Sequence, residues 1–246
     1  MIDEVIILAA GKSTRMESQK NKVLENLAGR PMIHHVLDTT SQLGVLSPIV
    51  VIGHQAVEVT AAVEAYGKLT PIFVEQENPA GGTGDAVAAA ASFLAGEYVA
   101  VLYGDMPFIQ AETLFNLGAA VTDAEAVIGL MTTKIMSDSH FGRVTRGAGD
   151  EVTGIVEWRN ASEDQRQITE GNAGVYVFRT QWLLAALPHL TPNAVTGEIY
   201  LTDLVALAVD THQPVVTQLV TNPREALGVN TPSELAAAEA AATTRK

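Results

Sequence analysis

Short apolar runs and helix-periodic segments take turns along the first half of the chain. Residues 5–8 (Val-Ile-Ile-Leu) are a run of strand-forming side chains, and similar runs recur at 48–52, 71–75, 98–103 and 126–131. Between them, 32–43, 55–66, 83–94 and 110–121 carry apolar residues at helical spacing. Pro31 presets the first turn of the helix at 32–43, and Gly44 ends it. Strands and helices alternating at this spacing predict a mostly parallel sheet covered by helices on both faces.

Near Lys134 the pattern changes. Segments 141–145 and 152–158, separated by the Gly-Ala-Gly-Asp turn at 147–150, read as an antiparallel hairpin. A short acidic helix at 162–167, a strand at 173–178, helices at 181–187 and 200–209, a strand at 214–220 and a closing helix from Pro232 follow, with a frayed tail at 243–246. There is no internal repeat and no low-complexity linker. The expectation is one α/β domain whose pattern divides it into a part at about 1–133, a part at about 134–230 and a C-terminal helix and tail at 231–246.

Composition narrows the chemistry. The 246 residues are 47% hydrophobic with few aromatics, enough for a sizeable core of helices on a sheet. No window of eighteen uncharged apolar residues suggests a membrane span, and Asp3 and Glu4 stand where a secretory leader carries cations. Cysteine is absent, which excludes disulfides, thiolate metal sites and cysteine nucleophiles and fits a reducing cytoplasm. The net charge of −13 argues against nucleic acid as a partner. The first thirty residues nevertheless hold five of the fifteen Lys+Arg against four acids, a net +1, while the remainder carries −14. A locally cationic loop on an acidic protein suits a small anion.

In an open α/β sheet, ligands sit beyond the C-terminal ends of the parallel strands. Here those ends carry Ala9-Ala10-Gly11 with Lys12, Arg15 and Lys22 downstream, then Glu75-Gln76, then Gly104-Asp105. Backbone N–H groups in a small-residue loop beside three cations suit a nucleoside triphosphate. Gly11-Lys12-Ser13 resembles the end of a P-loop, but that motif requires glycine where the chain has Ile6, and no G-x-G-x-x-G follows the strand. Asp105, directly after a buried strand, is a candidate ligand for Mg²⁺, which takes one or two protein oxygens and completes its shell with phosphate and water. Gly81, Gly82 and Gly84 around Thr83 allow a base or sugar to come close to the backbone, and the Gln76 amide offers both donor and acceptor to a uracil edge. Asp85 reads as a helix-dipole partner. The six histidines show no metal spacing.

The motifs L-A-A-G-x-x-T-R-M, N-K-V-L-x-x-L-A-G-R-P-M, G-T-G-D-A, Y-G-D-M-P, F-G-R-V, G-I-V-E, E-G-N-A-G, G-E-I-Y-L-T-D and G-V-N occur in this order from about residue 6 to 230. Together they resemble the uridylyltransferase domain of the bifunctional bacterial N-acetylglucosamine-1-phosphate uridylyltransferase/glucosamine-1-phosphate acetyltransferases. The resemblance implies a Rossmann-like nucleotidylyltransferase fold, a mixed, mostly parallel sheet with a small antiparallel sugar-binding part. It implies transfer of UMP from UTP to N-acetylglucosamine 1-phosphate, giving UDP-N-acetylglucosamine and pyrophosphate, with Mg²⁺ and in the cytoplasm. By the same resemblance Leu8, Ala9, Gly11, Gln76, Gly82 and Thr83 hold the uridine, Arg15 and Lys22 the phosphates, and Tyr103 lines the site. Asp105 and Asn230 bind Mg²⁺; Gly142, Glu157, Asn172, Tyr200 and Thr202 surround the sugar.

The chain departs from that family in two places. Its loop between the glutamine and the glycines is longer, leaving Glu77 as an alternative to Gln76, and Asp85 stands where the family has histidine. Nothing after Asn230 forms the hexapeptide β-helix of the acetyltransferase half, so uridylyl transfer alone is expected. Turn and cap roles remain open for Asn172 and Asn230, and a solvated edge acid for Glu157. The alternatives are another sugar 1-phosphate, such as glucose 1-phosphate, on the same fold, or a non-catalytic sugar-nucleotide-binding regulator.

Overall fold

Alternation along the first strand decides the layering. β1 (Glu4–Leu8) sends Val5 and Ile7 to one face and Ile6 and Leu8 to the other, with 5, 6 and 7 wholly buried. Burial on both faces is why the run is continuously apolar rather than alternating. The computed structural model describes residues 1–16, 18–78 and 80–243. After a two-residue hairpin of β2 (Asn26–Leu27) and β3 (Arg30–Pro31) come α1 (Met32–Gln42), β4 (Ile49–Ile52), α2 (Ala56–Ala65), β5 (Ile72–Glu75), α3 (Gly82–Ala90), β6 (Tyr98–Tyr103), α4 (Ala111–Asp123) and β7 (Ile128–Lys134). The chain continues through β8 (Arg143–Arg146), β9 (Val152–Val156), α5 (Glu163–Arg166), β10 (Glu170–Arg179), α6 (Thr180–Ala186), α7 (Asp203–Asp210), β11 (Val215–Leu219) and α8 (Pro232–Thr243).

Among the described residues the main sheet has the order β11-β7-β10-β6-β1-β4-β5, with the β8–β9 hairpin joined through β10. β1 runs parallel to β4 and β6, with Ile6 opposite both Ile49 and Val101. Val5 and Ile7 pack with α1, α2 and α4 through Val36, Leu37, Val59, Leu114 and Leu117. Ile6 and Leu8 pack with α3, α6 and α7 through Val87, Ala90, Leu183, Leu204 and Val205. The result is three layers, helix, sheet and helix, as the pattern predicts.

Differences from the sequence reading fall where turn residues mislead. The strand expected at 173–178 runs from Glu170 to Arg179, antiparallel between β6 and β7. Asn172, beside Gly171, is open on sequence alone to a turn role before the strand; it lies within the strand, at the start of a register irregularity between Asn172 and Tyr176. The helix expected at 83–94 ends at Ala90 and continues as one 3₁₀ turn, Ala91–Phe93, and the helix expected from 200 begins at Asp203. The β2–β3 hairpin turns at Ala28-Gly29, where φ of 51° and 82° gives the doubly left-handed turn that hairpins favour; Ala28 hides this signal, which Asn would announce. The frayed tail expected at 243–246 falls, from 244 on, outside the described residues.

Two connections shape the sheet's C-terminal edge. The segment before α7 lies against the start of α3: Gly84 N–H donates to Ile199 C=O, Ile199 N–H to Gly81 C=O, both at 2.8 Å, and Leu201 N–H to Thr83 Oγ1 at 3.0 Å. A Cβ on Gly82, whose φ is +83°, would lie 2.6 Å from Ile199 O, and one on Gly84 would lie 2.6 Å from Ile199 Cγ2. These glycines thus make room for residues 198–199 as well as for any ligand. At the other end, α8 packs Ala238 and Leu235 on Leu27, Met32 and Val229, and Glu239 Oε1 accepts from Ala28 N–H at 3.0 Å. No helix is long and apolar enough to cross a membrane.

Two outcomes follow for stability. Ile7→Ala, at a wholly buried position in the central strand, is expected to lower unfolding free energy by about 2–5 kcal/mol, while Val57→Ala, 79% exposed on α2, changes it by less than about 0.5 kcal/mol, as read from urea midpoints at unchanged slope. Gly82→Ala combines left-handed strain with the clash at Ile199 and is expected to cost about 1–3 kcal/mol. Its signature is faster hydrogen exchange of the Gly84 and Ile199 amides, with exchange in β1 and β6 unchanged.

Candidate functional site

The loop after β1 is shaped by one buried amide. Ala9 and His54 extend the strand pairing, with Ala9 N–H donating to Val51 O at 2.8 Å and His54 N–H to Ala10 O at 3.1 Å, and at Gly11 the chain leaves the sheet. Asn21, 1% exposed, donates from Nδ2 to Ala9 O, Gly11 O and His54 O at 3.3, 3.3 and 2.9 Å, and its Oδ1 accepts from Val23 N–H. Ser13, at φ +55°, accepts from Lys22 N–H at 2.8 Å. Loop and lysine are thereby held as one unit. Asn21 opens the N-K-V-L motif, and only the convergence of three carbonyls on it reveals its role.

Lys22 points into the junction of three chain segments. Its Nζ makes a short ion pair with Asp105 Oδ2 and donates to Asn230 Oδ1 at 2.6 Å, while Arg15 also reaches Asn230 Oδ1 at 3.2 Å. Asp105 is 5% exposed at the end of β6, and its carbonyl accepts from Val229 N–H at 2.9 Å, which fixes Asn230 beside it. Asn230 does not cap α8: Thr231 Oγ1 accepts from Glu234 N–H, and Glu234 reaches back to Asn230 N–H at 2.7 Å. A carboxylate and an amide oxygen thus converge on one cation. They form a hard donor pair that fits a divalent metal taking its remaining ligands from phosphate and water. No group of three or more His, Cys, Asp or Glu with metal-binding geometry exists among the described residues.

At one end, beyond β5, Gln76 is 6% exposed and donates from Nε2 to Gly82 O at 3.0 Å and to Asp85 Oδ2 at 2.8 Å. Glu77, the alternative reader, is exposed and does not line the cavity. Asp85, expected as a helix-dipole partner, does lie in the first turn of α3, and in addition it fixes the Gln76 amide. Burial first, then the charges of Asp105 and Glu157, push the Tyr103 phenol far above its usual pKa, with a Thr83 hydrogen bond working against them. Tyr103 is therefore a neutral wall.

At the opposite end, Glu157 accepts from Thr202 Oγ1 at 3.4 Å. Burial holds its carboxyl above the ordinary glutamate pKa, Thr202 partly offsets this, and Asp203 adds to it. Asn172 Oδ1 accepts from Gly174 N–H and its Nδ2 donates to Tyr176 Oη, each at 2.8 Å, so its side chain braces the irregularity in β10. Tyr200 Oη pairs with Thr196 Oγ1 at 2.8 Å. Behind them, Arg143 is wholly buried and donates to the carbonyls of Ser139, Phe141 and Ser137 at 2.6–2.9 Å, with its guanidinium 4.7 Å from the Trp158 ring centre.

These groups line two adjoining cavities of about 630 and 650 Å³. The first is bordered by Leu8, Ala9, Gly11, Gln76, Gly82, Thr83, Glu157, Tyr200 and Thr202 among the expected residues, by Lys12, one of the three cations of the first loop, and also by Ser13, Asn21 and Glu198, for which the sequence pattern suggests no site role. Arg15 and Asn230 line the second, and Lys22, Tyr103, Asp105 and Asn172 border both. Gly142 lines neither: its carbonyl accepts from Asn172 N–H, and a Cβ on it would lie 2.9 Å from Ile155 Cγ2, so it makes room for the Ile155 side chain, two residues from Glu157. Around the first cavity Lys12 and Lys22 face Asp105, Glu157 and Glu198. Protein cations alone do not outweigh the carboxylates there.

Known proteins resemble this chain in sequence and in fold. The bifunctional protein GlmU of Chromohalobacter salexigens is 42% identical over 238 residues, covering 97% of this chain and 51% of that protein. The bifunctional protein GlmU of Aquifex aeolicus is 38% identical over 243 residues, covering 95% and 52%. The chain therefore spans about half the length of the curated relatives it matches. Among solved structures, a UDP-glucose pyrophosphorylase complexed with UDP-glucose superposes with a TM-score of 0.81 at 14% identity, covering 100% of both chains. CMP:2-keto-3-deoxy-manno-octonic acid synthetase complexed with CTP superposes at 0.74 and 19%, again over 100% of both. Residues 5–137, more than half of the chain, match the MobA-like NTP transferase domain; the protein belongs to that family and is a nucleotidyltransferase.

Proposed function

We propose that this domain transfers UMP from UTP to N-acetylglucosamine 1-phosphate, releasing pyrophosphate and forming UDP-N-acetylglucosamine. The observation that carries the reading is the convergence of Asp105 Oδ2 and Asn230 Oδ1 on the Lys22 ammonium, between a base-sized end at Gln76 and a hydroxyl-binding end at Glu157. Identity of about 40% to GlmU proteins over nearly the whole chain supports the choice of substrates.

The sugar phosphate oxygen is already anionic at neutral pH, so it attacks the α-phosphorus of UTP without a general base. A new P–O bond forms, the bond between the α-phosphorus and the bridging oxygen to the β-phosphorus breaks, and pyrophosphate leaves with its electrons. The protein's task is alignment and charge compensation. Lys22 and Arg15 lie against the phosphates, and Asp105 and Asn230 would hold Mg²⁺, which supplies positive charge that the cavity lacks on its own account. Lys22 then turns from those two oxygens to the phosphates. Leu8, Ala9, Gly11, Gly82 and Thr83 enclose the nucleoside and Gln76 reads the base. Glu157 accepts sugar hydroxyl or amide hydrogens, and Asn172, Tyr200 and Thr202 border the same end. An aqueous cytoplasmic setting, where UTP and sugar phosphates occur, is part of this reading.

Pyrophosphate release should require UTP, N-acetylglucosamine 1-phosphate and Mg²⁺ together, and Asp105→Ala should lower kcat by about 100-fold or more with the native circular dichroism spectrum retained. Faster turnover of glucose 1-phosphate than of its N-acetylamino analogue would replace the sugar assignment, and unaltered Mg²⁺ dependence in Asp105→Ala would refute the metal assignment.

Glu157 gives a pH test with a defined sign. Its ionised form is the acceptor, and its pKa in the free protein is raised, so sugar affinity is lost as pH falls while an ordinary glutamate would still be charged. The kcat/KM for the sugar phosphate should show an acidic limb above pH 4.5, beyond that due to the substrate's own phosphate, which titrates near 6. Glu157→Gln should abolish the extra limb and raise KM about tenfold at pH 8, by loss of a charged hydrogen bond. Identical pH profiles for the two proteins would remove Glu157 from the sugar site.

A further inference from the structure

The direction in which the Gln76 amide faces is not a free choice. Its Nε2 lies 2.8 Å from Asp85 Oδ2 and 3.0 Å from Gly82 O. A carboxylate and a backbone carbonyl only accept, so both must be met by N–H groups, and these two contacts use both hydrogens of the Gln76 amide. Turning the amide over would set Gln76 Oε1 against two acceptor oxygens inside a residue that is 6% exposed. The backbone is pinned too, through Gln76 N–H donating to Ile52 O at 2.8 Å. What Gln76 has left to offer the cavity is one carbonyl oxygen.

We propose that Asp85 determines which base the site accepts, by locking Gln76 as an acceptor so that it pairs with a base carrying a ring N–H on its pairing edge and rejects one carrying a ring lone pair there. Uracil has that N–H at N3, whereas cytosine has a lone pair at N3. Asp85 itself touches no reactant; it is a positioning residue acting through Gln76. The inference rests on the reading of the cavity as a nucleoside triphosphate site and adds to it the reason for the base. The question is a real one for this architecture, because a structure of the same fold is known with CTP.

The test compares dissociation constants and kcat/KM for UTP and CTP in the full chain. Wild type should favour UTP, by a margin set by one mispaired hydrogen bond in a buried site, about tenfold or more. Asp85→Leu, which leaves one tether on Gln76, should cut the UTP:CTP ratio about tenfold, chiefly through weaker UTP binding. Asp85→Asn should retain most of the preference, because with Gln76 held by Gly82 O its amide oxygen can still accept. Gln76→Leu should lose the preference as well, and adding Asp85→Leu to it should change the ratio by less than about twofold. The proposal is overturned if Asp85→Leu weakens UTP and CTP by the same factor, if Asn behaves like Leu, or if the effects of the two Leu substitutions on the ratio multiply. Circular dichroism and urea midpoints confirm that each variant is folded, and calorimetric binding with Mg²⁺ reads the ratio without turnover. A wild type that prefers UTP but turns over a different sugar phosphate corrects the substrate assignment and leaves Asp85 in place; one that prefers UTP when Asp85→Leu does also removes Asp85 alone. A wild type that prefers CTP removes both.

Discussion

A single ammonium group shared by two side-chain oxygens joins the beginning, the middle and the end of this chain. Lys22 follows the first strand, Asp105 stands two residues after β6, and Asn230 stands two residues before α8. Their meeting depends on β1 lying between β6 and β4, because that order puts the loop after β1 next to the end of β6. It depends equally on the C-terminal helix. The packing of α8 on Leu27 and Met32, and the bond from Val229 N–H to Asp105 O, hold residue 230 over an edge that the parallel strands alone would leave open. The helix thus completes the site by bringing a neutral oxygen donor, and its neutrality matters. A second carboxylate would bind a metal more strongly but would also repel the triphosphate that must share it.

The base and sugar ends of the first cavity are not independent walls. Residues 81–84 carry the glycines at the nucleotide end, and 199–201 lead into Thr202 at the sugar end; three hydrogen bonds tie the two segments directly. Thr83 faces both ways, accepting from Leu201 N–H while hydrogen-bonding the Tyr103 phenol. Displacing one end therefore strains the other. Two reactants that must meet with their phosphates in line gain from such a frame, since misplacement at either end is felt at the point of attack.

The layers and the strand-end loops were legible in the sequence because both rest on local rules. Continuous apolar strands imply burial on two faces, and small residues after such strands imply a ligand-facing loop. The direction of β10 was not legible. Its Gly171 and Asn172 follow turn statistics, and only pairing with Thr133 and Thr132 of β7, distant in sequence, makes them part of the strand. Asn21 escaped for the same reason: a buried amide satisfied by Ala9, Gly11 and His54 looks, in one dimension, like any loop asparagine. Gly82 was read as space for a base, and the structure adds the Ile199 backbone as the neighbour that a side chain would strike.

The wall behind the sugar end shows how charge is rationed near phosphates. Arg143 is wholly buried, yet its NH groups donate to main-chain carbonyls of residues 137, 139 and 141 and its plane rests on Trp158, with no carboxylate within salt-bridge distance among the described residues. Burial, and then the charge of Arg166, lower its pKa, but a guanidinium starts so high that it stays protonated. A carboxylate partner would satisfy it more simply. Carbonyl dipoles do so without adding a full negative charge behind a site whose first cavity already has Asp105, Glu157 and Glu198 on its walls. The same bonds fix the course of 137–141, which carries Asp138, Ser139, His140 and Phe141 to the border of the second cavity, beside Arg15 and Asn230. The buried cation therefore shapes the far wall and leaves the proposed compensation of phosphate charge to Lys22, Arg15 and the metal for which Asp105 and Asn230 are the proposed ligands.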